Sequence, residues 1–251
     1  MGKKKADLKR DKLKSLPTVM WAEREGLCSC SKIGLGCCIC HQCCANEMFV
    51  HAGDVPPGAT VGSLAWTDDK LIGYIMQPVP FGGGLTPTLN IMERASPADG
   101  SVRPIAKLEG PCCFGGCTEL CCTSTWLISS MQPHQYKKKI KTGDMAKIVK
   151  QRPRRLKGAA REALTDSDSF VLAFPDGNLL APQQKAVMMS SLLLVDYMCF
   201  EQDNGMCRCE GTKLICTLFE CYWCGAVVPC NCEYNFAGGG GSAPTSEEME
   251  R

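Results

Sequence analysis

Apolar and polar positions alternate in short runs through the first two thirds of the chain. Runs of period two predict strands over Glu47–His51, Ala59–Thr67, Leu71–Gln77, Thr88–Glu93, Arg103–Leu108, Ser124–Ser130, Ala146–Gln151 and Ser169–Phe174. Turn signals separate them: Pro56-Pro57-Gly58, Asp68-Asp69, Gly82-Gly83-Gly84, Asp99-Gly100 and Thr142-Gly143-Asp144. Short strands at this spacing point to a mainly β fold, a barrel or a sandwich. The pattern changes at PQQKAVMMSSLLLVDYMCFE, residues 182–201, which predicts one helix with Pro182 in its first turn. That helix is apolar on nearly every face, the mark of a helix enclosed by protein or lipid. Its longest apolar run, Ala186 to Phe200, is interrupted by Ser190, Ser191 and Asp196 and spans about 22 Å, short of a hydrocarbon core of roughly 30 Å. Asp196 at a bilayer centre would add roughly 2.5–3.5 kcal/mol. A second run, Leu214 to Pro229, holds Glu220 and three cysteines, so neither run predicts a membrane span.

Composition narrows the classes. With 251 residues, 45% hydrophobic and 22% charged, the chain has enough apolar material for a globular core. A net charge of +2 sets up no global field toward nucleic acid or membrane, so any such pull is local. One local source is the basic arm at residues 1–16, worth about 1 kcal/mol per basic residue close to an anionic leaflet, or else a solvated tail. Another is Lys137 to Arg161, with eleven Lys or Arg; no aromatic interleaves it, so the stacking part of single-strand recognition is missing. A solvated face or contact with lipid headgroups fits it better. The organisation expected is a basic arm over 1–27, a main domain over 28–201, a cysteine-rich extension over 202–236 and a flexible tail over 237–251.

Cysteine is the outlier, at 20 residues. The charged N-terminus MGKKKADLKRDKLKSLP lacks the apolar region of a signal peptide, so the thiols are expected free, metal-bound or lipid-bearing rather than in a secreted disulfide framework. Ala6 stands where a myristoylation pattern wants Ser or Thr. Seven cysteines crowd residues 28–44, five lie in 112–122 and seven in 207–232. Acylation suits accessible thiols, since two or more acyl anchors make attachment stable where one is marginal. Zinc is the rival, through Cys40-x-x-Cys43 with His41 and Cys221-x-x-Cys224. Inert thiols are the third reading. The stretch Asp166 to Gly177 alternates acidic and small residues as a calcium loop does, but it carries Val171 at the sixth position and Gly177 at the twelfth, against the Gly and Glu of an EF-hand. On composition it reads as an Asp-Ser turn entering a strand. The histidines His41, His51 and His134 stand alone, without an ordered Ser/His/Asp pattern. Gly82-Gly83-Gly84 lacks the lysine of a phosphate loop. Trp66, Tyr74 and Trp126 are expected in the core.

Four ordered segments carry a resemblance: LIGYIMQP at 71–78, IAKLEGPCC at 105–113, REALTDSDSFVLAFP at 161–175 and KAVMMSSLLLVDYMCFE at 185–201, with CCICHQCC at 37–44 before them. Together they resemble the phospholipid scramblase family, over roughly residues 28–201. The resemblance implies a tubby-like fold, an antiparallel β-barrel around a central hydrophobic helix. Here the barrel is shortened, because the family's first strands and Pro-rich N-terminal region have no counterpart and eight strands stand where the family has twelve. It implies calcium-dependent, ATP-independent movement of phospholipid between leaflets, a transport rather than bond-making chemistry. Cys37, Cys38, Cys40, Cys43 and Cys44 sit where the family carries its acylated cysteines, so covalent palmitate is expected there, and zinc is not. The family's calcium stretch corresponds to Asp166, Asp168, Phe170, Phe174 and Asp176; Asp176 falls one position before the family's terminal carboxylate, and weak calcium binding is expected, roughly 10⁻⁴–10⁻³ M. Lys185, Met188, Leu192, Leu193, Asp196 and Phe200 fall on the central helix, which fills the barrel or enters the membrane. The partners implied are membrane phospholipids of an anionic leaflet at the cytoplasmic face of the plasma membrane, with no specific nucleic acid and no other small-molecule substrate. A lipid-anchored adaptor that moves no lipid, and a zinc module, are the other readings. The extension after Glu201 has no family counterpart.

Overall fold

The computed structural model describes residues 16–24, 45–64, 67–95, 101–131, 145–151, 169–175, 180–201 and 206–236. Eight strands form one antiparallel sheet: β1 (Met20–Glu23), β2 (Glu47–Ala52), β3 (Leu71–Met76), β4 (Thr88–Arg94), β5 (Val102–Glu109), β7 (Thr125–Ser130), β8 (Ala146–Lys150) and β9 (Phe170–Ala173), in that order. Between β5 and β7 the chain leaves this sheet as the two-residue strand β6 (Cys113–Phe114). Period-two alternation sorts the side chains. Met48, Val50, Ile75, Leu89 and Ile91 join the main core, while Phe49, Leu71 and Tyr74 form a small cluster on the opposite face. Register shifts after Val50 in β2 and after Ile91 in β4 add the local bends that help a sheet curl.

The helix α1 (Pro182–Cys199) lies against the main-core face. It packs on β2, β3 and β4 and also on β9. In a flat sheet, β2 and β9 would stand about 29 Å apart, six spacings of roughly 4.8 Å, against a helix about 10–12 Å across. The sheet therefore curls around the helix. Among the described residues β1 and β9 remain its two edges and do not pair, so the architecture is a half-barrel with one helix inside its curve. This bears out the mainly β fold with a central helix.

Gly73, within the LIGYIMQP segment, shows how close the helix comes. A Cβ at Gly73 would fall on the Met92 carbonyl oxygen and 2.9 Å from Val187 Cγ2. The helix N-terminus is anchored by Gln184, whose Oε1 accepts from the Ala181 amide (3.1 Å) and whose Nε2 donates to Glu93 on β4 (2.7 Å). The two buried serines in the apolar run are satisfied inside the helix: Ser190 donates to the Ala186 carbonyl and Ser191 to that of Met188. That is how Ser190 and Ser191 are tolerated at full burial.

Residues 206–236 fold rather than trail. Strands β10 (Cys207–Glu210), β11 (Lys213–Trp223) and β12 (Ala226–Asn235) make a second antiparallel sheet, with β6 also paired to β11. The apolar run Leu214 to Pro229 is thus a hairpin. Cys224 (φ 47°) and Gly225 (φ 95°) form its two-residue turn, the positive-φ pair that matches strand twist. The expected strand over Ala59–Thr67 is overturned: the described residues 59–64 are turns, with Gly58 and Gly62 at positive φ and Ser63 bonded back to Thr60.

A Gly73→Ala variant tests the helix–sheet contact. Elsewhere in a strand the change would gain about 0.4–1 kcal/mol from chain entropy. Here the methyl group meets backbone, and a net loss of about 1–3 kcal/mol is expected in urea unfolding.

Candidate functional site

Among the described residues the helix is buried on one side and exposed on the other. Val187, Met188, Leu194 and Val195 are sealed in the core, whereas Met189, Leu193 and Tyr197 are 49%, 50% and 47% exposed. These three follow one another at i, i+4 and i+8, so they make a single apolar stripe about 12 Å long. Cations sit at both ends. Lys185 is exposed on the first turns, with its Nζ 5.7 Å from the Phe174 ring centre. Arg24, following β1, lays its guanidinium 3.6 Å from the Tyr197 ring centre and donates to Asn46 Oδ1. Among the described residues no helix is long and apolar enough to cross a membrane.

Below the helix C-terminus lies a buried ionic and aromatic cluster. Lys150 on β8 pairs with Glu119, both nearly fully buried, and its Nζ sits 3.8 Å from the Phe200 ring centre. Phe200 packs on Phe114, Trp126 and Phe170. The C-terminal sheet lies over this end. Tyr222 donates to the Gly82 carbonyl and accepts from Gln77 Nε2, the Tyr222 amide donates to the Cys112 carbonyl, and the Cys224 amide to that of Gly84. Gly115 and Gly116, both at positive φ, let β11 come close: a Cβ at Gly116 would run into the Thr217 and Leu218 backbone. Burial, with the charge of Glu220 adding to it, pushes the Cys199 thiol well above its ordinary range, so this sulfur is a packed apolar group.

Residues 116–202 match the family model described as Scramblase. The chain is 27% identical over 165 residues to phospholipid scramblase 2 of Homo sapiens, covering 66% of this chain and 42% of that protein. It is 27% identical over 187 residues to phospholipid scramblase 1 of Mus musculus and 28% identical over 187 residues to that of Rattus norvegicus, each covering 74% of this chain and 42% of the relative. The matches support the scramblase family. The chain spans about 42% of the length of the curated relatives it matches. No solved structure matches.

The scramblase match runs from the 3-10 turn Gly116–Leu120 through the end of α1, so it takes in Glu119, Lys150, the exposed stripe and Phe200. Of the helix residues expected at the site, Met188 is fully buried, Leu192 and Asp196 are half-buried, and Lys185 and Leu193 are exposed. Phe200 caps the helix and joins the aromatic cluster. Phe170 and Phe174, from the calcium stretch, turn their rings to the core, where a ring offers a cation no oxygen. Asp166, Asp168 and Asp176 lie outside the described residues, as do Cys37, Cys38, Cys40, Cys43, Cys44, His41, His134 and Trp66. Among the described residues no group of three or more His, Cys, Asp or Glu is placed to hold a metal. Lys150 departs from the solvated face expected for the basic stretch, because it is buried against Glu119.

His51 does not stand alone. Its Nδ1 is 2.6 Å from Asp68 and its Nε2 3.1 Å from Glu23, with Trp21 stacked on the ring at 4.1 Å. Glu23 also accepts from the Gly62 amide, and Asp68 from that of Lys70. The ring is completely buried, and this cluster fastens β1 and the residues Gly62 and Asp68 to β2. The partners lie 28 and 17 residues away in sequence, beyond the reach of any local motif. Burial alone would raise the Asp68 carboxyl, but the Lys70 amide and His51 outweigh it and hold Asp68 below the usual carboxylate value. A depressed carboxyl contributes stability above its unfolded value of 3.8 that is lost as pH falls through the folded value. Asp68→Asn is expected to cost about 1–3 kcal/mol at pH 7 in denaturant melts. The gap between variant and parent should close as pH is taken below 3.8.

Proposed function

We propose that this chain is a membrane-bound, scramblase-like protein that moves phospholipids between leaflets without ATP and without making or breaking bonds. The observation that carries this reading is the half-covered helix: Met189, Leu193 and Tyr197 face outward between Lys185 and Arg24. An apolar stripe with a cation at each end matches the chemistry of a phospholipid, acyl carbon beside phosphate. In this reading the stripe takes acyl chains, and Lys185 and Arg24 take headgroup phosphates. A headgroup crossing hydrocarbon alone leaves its charges unpaired, and fixed partners along a protein surface lower that barrier.

Acylation of Cys37, Cys38, Cys40, Cys43 and Cys44 with palmitate, together with the basic arm at residues 1–16, holds the protein to the anionic cytoplasmic face of the plasma membrane in this reading. Calcium, bound weakly through Asp166, Asp168 and Asp176, triggers the movement. The calcium part rests on the aspartates and their resemblance, the lipid part on the stripe.

A second reading is a lipid-anchored adaptor that moves no lipid. It is favoured by the open sheet, since β1 and β9 do not pair among the described residues and the wall around the helix is incomplete there.

Liposomes carrying fluorescent phospholipid, quenched from outside by dithionite, separate the two. Calcium-stimulated loss of the inner-leaflet signal is expected, and Leu193→Lys should slow transfer by about tenfold while leaving flotation intact. Flotation with membranes but no transfer selects the adaptor. Asp166→Asn with Asp168→Asn should abolish the calcium stimulation while leaving flotation intact; unchanged stimulation would remove calcium from the reading.

A further inference from the structure

The strand pairing between the C-terminal sheet and the rest of the molecule is short, and the hydrogen bonds of Tyr222 and Cys224 add to it. Among the described residues, the strand pairing between them is β6 on β11, two residue pairs long: Glu220 opposite Phe114 and Cys221 opposite Cys113. Two pairs are a weak ladder for an attachment that also covers the buried Lys150–Glu119 pair and Phe200. At this seam the Cys113 and Cys221 sulfurs lie 3.2 Å apart, on directly opposed residues of antiparallel strands. Directly opposed antiparallel residues have Cα atoms about 4.5–5.5 Å apart, inside the range a disulfide spans. Cys113 is exposed and Cys221 half-buried, so a small thiol reagent reaches the pair from solvent.

We propose that Cys113 and Cys221 are a reversible dithiol–disulfide site that locks the C-terminal sheet onto the half-barrel. Glutathione disulfide is the oxidant. The Cys221 thiolate attacks one of its sulfurs, forming a mixed disulfide and releasing one glutathione thiolate. Cys113 then loses its proton to solvent and attacks the Cys221 sulfur, and the second glutathione leaves. Two protein thiols are oxidised, one glutathione disulfide is reduced to two glutathione molecules, and excess glutathione reverses the steps. The bond closes a loop of 108 residues, so it restrains the chain far more than the neighbouring pair Cys207–Cys216. Those sulfurs are 2.6 Å apart but only nine residues apart in sequence, and their link would join two adjacent strands of one hairpin. That pair is the internal control.

The test equilibrates the full-length protein in graded ratios of reduced to oxidised glutathione, quenches with an alkylating reagent and maps the linked peptides by mass spectrometry. A reversible crosslink between Cys113 and Cys221 is expected, absent in Cys113→Ser and in Cys221→Ser and retained in Cys207→Ser and Cys230→Ser. In the Cys207→Ser background, oxidation should raise the melting temperature by about 4–16 °C, a gain lost when Cys113→Ser is added. Full alkylation of Cys113 and Cys221 at ratios where Cys207 and Cys216 have closed would overturn the site. So would capture of Cys221 by Cys230, whose side chain reaches it from β12.

Discussion

The contact that the rest of the molecule depends on is the seating of α1 against β3 and β4 at Gly73. Val187 and the Met92 carbonyl crowd the place where any other residue would put a Cβ. This approach sets the depth of the helix in the curve of the sheet. The depth decides which side chains are sealed and which are left outside. Val187, Met188, Leu194 and Val195 go in; Met189, Leu193 and Tyr197 stay out. Gln184 fixes the rotation at one end by bonding Glu93, and Phe200 fixes it at the other by entering the aromatic cluster. With depth and rotation both determined, the outward stripe is a consequence of the packing and not a separate feature.

The same logic applies at the far end. A buried lysine is tolerable only when paired, and Lys150 is paired with Glu119 and lies against the Phe200 ring. Keeping such a pair dry needs a cover. The sheet β10–β12 supplies it, seated through Tyr222 and through the two glycines at 115 and 116 that let its backbone approach. Phe114 ties the layers together, buried in the main core while its backbone pairs with Glu220. The extension is thus part of the same packing unit as the segment matched by the family model.

How much of this was legible in the sequence follows from the range of each interaction. Alternation is local, so β2, β3, β4, β5, β7, β8 and β9 fell close to their expected bounds, as did the helix. Exposed turns that carry alternating residues mimic a strand locally, which is why the pattern at residues 59–64 predicts a strand where the structure has turns. The C-terminal hairpins are also local: alternation in KLICTLFECYW and the two-residue turn Cys224-Gly225 both signal them, though the density of cysteine masks the pattern. The His51 clamp was beyond reach in principle, because its two carboxylates come from β1 and from the 60–70 loop and only the folded register brings them together. The one-sided exposure of the helix was hidden as well. Its residues are apolar all round, and only the folded packing, in which β1 and β9 do not pair among the described residues, makes one stripe differ from another.

The magnitude of that stripe bears on the proposed mode of action. Fully burying one large apolar side chain contributes about 1.5–3 kcal/mol. Three side chains near half exposure therefore offer an apolar phase roughly 2–5 kcal/mol. Two cations near an anionic leaflet add about 1 kcal/mol each. The total is of the order of a single lipid anchor, which holds a protein to a bilayer only marginally. A helix that gripped lipid much more tightly would trap each molecule instead of passing it on. Weak local affinity with independent attachment is the arrangement transfer requires, and it assigns the holding to the acyl groups and basic arm of the proposed reading and the passing to the stripe.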